Sequence, residues 1–182
     1  MKKFVAMLLV LVMALSMTAA MAGSSRTPES VTTVTKTTTN TNTKPEVTAV
    51  TVVWQIPGTE FLNAVLAELT ALDQEGKAGS YFPAELGVAE DMKCAEAVSL
   101  DCLDNAADYA PYSFEMTTTT AVAKGTQVVV LIGTKKGEEI TWTAVNAVAT
   151  EDNTLTVTLN KAQLTALQEA DEKVLVALVP GE

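Results

Sequence analysis

The sequence contains no histidine. Its absence removes imidazole as a general base, as an activator of a nucleophile and as a metal ligand. Cysteine is almost absent too. Two residues, Cys94 and Cys102, are too few for a four-thiolate zinc site or a small disulfide framework. Basic side chains are scarce, with 12 Lys+Arg against 22 Asp+Glu, a net charge of -10 and a pI near 4.5. Such a chain lacks the basic footprint that holds a phosphate backbone, so no nucleic-acid partner is expected. There is no glycine-rich phosphate loop, no nucleophile elbow and no Ser/Lys signature. Acids are abundant enough to supply a carboxylate pair for glycoside hydrolysis, but no spacing singles one out. The expectation is a protein without catalytic activity and without a cofactor.

What the chain does have begins at its first residues. Met1-Lys2-Lys3 precedes an apolar run over residues 4–15, and Ala20-Met21-Ala22 stands before Gly23. A basic start, a short apolar stretch and an A-x-A site describe a Sec signal peptide over residues 1–22. The run is well short of the ~20 residues that span a bilayer. No cysteine near the cleavage site offers a lipid anchor, no LPxTG sequence closes the chain, and the later run over 174–179 is only a strand's length. The expectation is an exported bacterial protein, secreted or held at the cell surface, with no membrane span after cleavage. Removing residues 1–22 takes away two lysines and no acid, so the remaining chain carries -12. Its apolar share falls to about 43%, an ordinary globular value.

Residues 23–45 are rich in threonine and hold no aromatic residue. Val31 and Val34 are too few to offset the entropy of ordering, which makes this stretch a flexible linker. Thr35, Thr37, Thr39, Thr41 and Thr43 alternate and would form one hydroxyl row on a strand. A single row is not an array, so the linker reading is kept. The threonines are also possible sites of O-glycosylation.

The folded part divides into a strand-helix region with an acidic helical insert, residues 46–110, and a β-rich region, residues 111–182. The two pack as one unit. Val50, Val52, Trp54 and Ile56 alternate as one face of a strand. Pro57-Gly58 ends it. Thr59 is placed to cap a helix over residues 60–75, whose stripe is Phe61, Leu62, Val65, Leu66, Leu69 and Leu72, with Gly76 as its stop. Residues 88–108 are alanine-rich and acidic, and their weak helical pattern predicts one or two short helices with an acidic outer face. From Tyr112 onward the pattern turns to strands. Tyr112, Phe114 and Met116 share a face, and residues 127–132 form an apolar run. Residues 133–137 make a hairpin loop, and a strand runs from Ile140 and Trp142 to about Ala149. Leu155, Val157 and Leu159 alternate with threonines, Asn160 caps a short helix carrying Leu164 and Leu167, and a last strand covers 174–179.

Short strands with regular turn signals predict an α+β protein whose C-terminal half is an antiparallel β-sandwich-like unit. The phrase Leu167-Gln168-Glu169-Ala170-Asp171-Glu172 resembles the turn before strand F of immunoglobulin-like domains. The likeness covers about a dozen residues and lacks the tyrosine and the paired core cysteines of that family. It implies a weakly immunoglobulin-like fold and nothing about function.

Four groups of residues are candidates for a site. Cys94 and Cys102, an even pair in an exported chain, form a candidate disulfide, provided the chain turns between them. Asp101, Asp104, Asn105 and Asp108 recur at helical spacing and offer oxygen ligands to calcium, against the plainer reading of a solvated helix face. Trp54 and Trp142 are either core residues or a stacking platform for a sugar ring. Tyr81, Tyr109 and Tyr112 lie near breaks and are expected at the surface. The functional expectation is a non-catalytic extracellular structural or interaction module with a protein or glycan partner outside the cell. A carbohydrate-binding module using exposed aromatics is the alternative.

Overall fold

Chain order in the computed structural model, which describes residues 50–181, is β1 (Val53–Ile56), α1 (Glu60–Gln74), β2 (Met92–Cys102), β3 (Tyr112–Thr117), β4 (Val129–Lys136), β5 (Glu139–Glu151), β6 (Thr154–Leu159), α2 (Lys161–Glu169) and β7 (Glu172–Pro180). The signal peptide and the threonine-rich linker expected from the sequence lie outside the described residues. The class is α+β. Its two helices accompany one seven-stranded antiparallel sheet, ordered β1-β2-β7-β4-β5-β6-β3 and curved until it is nearly barrel-shaped.

Helix α1 forms where its signals place it. The Thr59 side chain accepts from the Leu62 N–H, and Gly76 leaves the helix at φ 70°. Phe61, Leu62, Val65 and Leu69 are buried on one stripe. Helix α2 begins with a full capping box, in which Asn160 and Gln163 exchange side-chain and backbone bonds. Its Leu164 and Leu167 are fully buried.

Two cores lie on opposite faces of the sheet. The interior core gathers Leu100, Phe114, Val130, Leu155, Val157, Leu175 and their neighbours, with Leu164 and Leu167 of α2 closing it. The outer core lies between α1 and the strands β2, β7 and β4, where Phe61, Val65 and Leu69 meet Ala97, Leu131, Val174, Val176 and Leu178. These three strands are therefore buried on both faces, and β7 reads as an unbroken apolar run for that reason.

Curvature comes from β5. Its first half pairs with β4 up to Val145, and its second half pairs with β6 from Asn146. The edge strands β1 and β3 nearly meet, since the N–H of Val52, the residue before β1, donates to the Tyr112 hydroxyl at 3.3 Å. At the other end the loop after β3 crosses to β2, where Thr119 N–H donates to Glu96 Oε2 at 2.9 Å and Thr120 N–H to the Ala95 carbonyl at 3.4 Å. Asn153 in the β5–β6 turn holds the same loop through Thr118 and Val122.

Several sequence expectations change. Residues 92–102 are a strand, not part of an acidic helical insert. Two-sided burial puts apolar residues at both parities, and a bulge between Cys94 and Glu96 shifts the alternation, so the period of a strand is hidden. Gly133 does not open a hairpin loop; β4 continues to Lys136 and turns at Gly137. Val52 and Val53 are both buried at 1% exposure while Val50 is exposed, so the expected single face of β1 is not kept.

The Cys94–Cys102 bridge is corrected as well. Both residues lie on β2, and eight steps of strand set them about 26 Å apart. A disulfide needs Cα atoms within about 7 Å. Their sulfurs also serve different cores, the outer for Cys94 and the interior for Cys102. Unfolding the protein without reductant should expose two reactive thiols per chain to a maleimide reagent. A labelling stoichiometry of zero in unfolded monomer would contradict this strand assignment.

Candidate functional site

Trp142 projects from β5 onto β4 at its register partner Gly133. A Cβ on Gly133 would stand 2.7 Å from the indole Cζ3 and 2.9 Å from Val174 Cγ2, so the ring rests where only glycine leaves room. Phe82 and Tyr81 meet the indole edge-on, with centroids 4.9 and 5.8 Å away, and Phe61 is tilted at 6.1 Å. Contacts on this many sides make Trp142 the filler of an aromatic corner beside α1. Trp142 is half-buried, and this packing engages the ring that a sugar-stacking platform would need open.

Among the other aromatic candidates Tyr81 shares this corner, and the rest lie elsewhere. Trp54 is half-buried on edge strand β1, opposite Asp101. Tyr112, expected at the surface, is 2% exposed because its ring stacks with Phe114 in the interior core and its hydroxyl bridges to β1. Tyr81 and Tyr109 are half-buried rather than exposed. Burial pushes the Tyr81 phenol above its ordinary value, and the nearby Glu68 charge adds to the rise. The five aromatics do not converge.

The acidic candidates do not sit on one helix face. Asp101 ends a strand, Asp104 and Asn105 form a turn, and Asp108 lies in a 3-10 turn over Ala106–Tyr109. Asp101 Oδ1 accepts from Lys173 Nζ at 3.1 Å and from the Cys102 N–H at 2.9 Å. Among the described residues no group of three or more acidic or thiol side chains is arranged to hold a metal ion. Burial raises the Cys102 thiol pKa, Lys173 opposes the rise, and Asp101 and Asp104 add to it, which keeps the sulfur protonated.

A polar network instead fixes α1 to the sheet. Glu172 Oε2 accepts from the Phe61 N–H at 2.9 Å in the first turn of α1, and its Oε1 accepts from Lys135 Nζ at 3.1 Å. The buried Ser99 hydroxyl meets both the backbone and the side chain of Thr59. The Phe61 bond is the main reason the Glu172 carboxyl lies below its usual range; partial burial opposes that shift, and Lys135 and Thr59 reinforce it. A shallow depression of about 370 Å³, lined by Ala107, Asp108, Ala110, Pro111, Asn160 and Lys161, lies at the start of α2.

Sequence reasoning missed the outer face of β5, β6 and β3. There α1 does not reach, and side chains pointing away from the interior core form three rows. They are Asn146, Val148 and Thr150 on β5, Thr158, Thr156 and Thr154 on β6, and Ser113, Glu115 and Thr117 on β3. Ser113 and Thr158 hydroxyls are 2.8 Å apart, and Thr150 and Thr156 hydroxyls 3.1 Å apart. Val148 is 60% exposed in the midst of these polar groups. The alternation of threonine with Leu155, Val157 and Leu159 was the signal. It described one row, and the other two arrive only through strand pairing.

Comparison with known proteins found no family model, curated protein or solved structure that matches this chain.

Two substitutions test this packing. Gly133→Ala should lower stability by about 1–3 kcal/mol through overpacking and alter tryptophan emission, both read in one denaturant titration; an unchanged midpoint would refute the close contact. Glu172→Gln should destabilise by about 1 kcal/mol at neutral pH. Because the folded carboxyl titrates below its ordinary 4.5, its contribution is present above that pH and is lost as pH falls through the lower folded value. The variant should therefore show a smaller loss of stability on acidification than the parent, measured as midpoints from pH 7 downward.

Proposed function

We propose that this protein is an exported, non-catalytic module that meets a partner outside the bacterial cell. The observation that carries the proposal is the uneven coverage of the sheet. Helix α1 buries the outer face of β2, β7 and β4, while the outer face of β5, β6 and β3 is left to solvent with Val148 exposed. A non-catalytic role is supported by how the acids are engaged. Glu172, Asp101, Glu96, Asp73, Asp152 and Asp171 each accept a backbone N–H and thereby hold the fold. Carbohydrate binding through exposed aromatics loses its main support, because Trp142 is packed on Gly133 and Tyr112 is in the core.

The C-terminal half, on the same proposal, is sandwich-like in character. What supports it is the change of partners along β5, which sets two parts of the curved sheet across one core. The immunoglobulin-like likeness gains no such support, since Leu167–Glu169 end a helix.

Export rests on residues 1–22. Among residues 50–181 no helix is long and apolar enough to cross a membrane. Fractionating bacteria that express the full chain should recover it outside the cytoplasm, with an N-terminal sequence starting at Gly23. Recovery in the cytoplasm with residues 1–22 intact would refute export.

A further inference from the structure

We infer that the outer face of β5, β6 and β3 binds an uncharged polysaccharide, lying extended across the strands. This rests on the proposal that the uncovered face is the working surface, and it adds the chemistry of the partner.

The face is a three-by-three array. Neighbouring rows are about 4.8 Å apart across the strands, and side chains within a row repeat about every 6.8 Å. Seven of its nine positions carry a hydroxyl or an amide: Ser113, Thr117, Asn146, Thr150, Thr154, Thr156 and Thr158. A hydroxyl donates one hydrogen bond and accepts two, and an amide does both. The matching surface is one whose groups also donate and accept at short intervals, which describes a polyol.

Charge narrows the partner. The only ionisable group in the array is Glu115, and it is negative. The chain as a whole holds 22 acids against 12 bases. A polyanion, whether nucleic acid, sulfated glycan or anionic lipid, would meet repulsion here and no cation to offset it. An uncharged polymer meets neither, and Glu115 adds an acceptor for paired hydroxyls.

Shape and composition narrow it again. The rows stand side by side on one face of paired strands, and a small ligand lying on such a face would be left mostly in water. Protein interfaces are anchored mostly by central aromatic or arginine side chains. The array offers only Val148, while Trp142, the large side chain nearest on β5, is committed to the aromatic corner.

The test uses the full-length chain and three insoluble neutral polymers, microcrystalline cellulose, chitin and β-1,3-glucan, with dextran sulfate beads as the anionic arm. At least one neutral polymer should deplete the protein from solution, and salt should leave that depletion unchanged. Replacing Thr154, Thr156 and Thr158 together by valine keeps β-branched shape while removing three hydroxyls. This triple variant should bind roughly tenfold or more weakly, as expected when several modest hydrogen bonds are lost. Thr156→Lys, which adds length and charge at the centre, should weaken binding independently. Thr143→Val, on the opposite face of β5, should not. Thermal melts of each variant report folding separately.

Absence of depletion by every neutral polymer would overturn the inference. So would retained or stronger binding in the triple variant, or capture by dextran sulfate alone. Export is read by fractionation, so a chain that is exported but binds no neutral polymer refutes the glycan inference alone. One that binds yet stays in the cytoplasm refutes export alone.

Discussion

Strand β7 answers to two cores at once, and the rest of the fold is arranged around that demand. Val174, Val176 and Leu178 point toward α1, while Leu175, Ala177 and Val179 point into the interior. All but Val179 are fully buried. Burying an aliphatic side chain of this size stabilises by about 1.5–3 kcal/mol, so no other strand of comparable length contributes more apolar burial. Both parities are apolar, however, so hydrophobicity alone would tolerate a one-residue slip. The polar start of the strand removes that freedom. Glu172 must reach Lys135 and the first turn of α1, and Lys173 must reach Asp101.

Because β7 is buried on both faces, its neighbours β2 and β4 share the cover of α1, which is only 15 residues long. A helix of that length spans about 22 Å and shields roughly three strands. The remaining strands β5, β6 and β3 curl around the interior instead, and their outward side chains face water. The uncovered hydroxyl face is therefore a consequence of one helix covering part of a seven-stranded sheet. The aromatic corner marks the border between the two regimes, with Trp142 filling the seam above Gly133.

Elements with a one-sided environment were legible in the sequence. Thr59 and Gly76 bracket α1, Asn160 opens α2, and the strict alternation from Thr154 to Leu159 states which face of β6 is buried. Elements with a two-sided environment were not. The residues of β2 are apolar at both parities and interrupted by a bulge, so their local pattern is closer to a helix than to a strand. Gly133 has the composition of a turn and the position of a mid-strand contact, because the space above it belongs to a tryptophan nine residues away. Cys94 and Cys102 looked like partners only while the stretch between them was free to fold back.

Taken alone, the sequence determined the acidic balance, the absence of imidazole chemistry, both ends of α1, the start of α2 and the inward face of β6, since each follows from local composition, capping or period. Tertiary structure decided where those pieces meet. The pairing of β3 with β6 joins residues some forty positions apart, and β5 changes partner halfway along its length. Only that long-range register sets Ser113 beside Thr158 and turns three unremarkable rows of side chains into one surface. Local sequence carries period and propensity, whereas which strands become neighbours depends on how two cores are buried together.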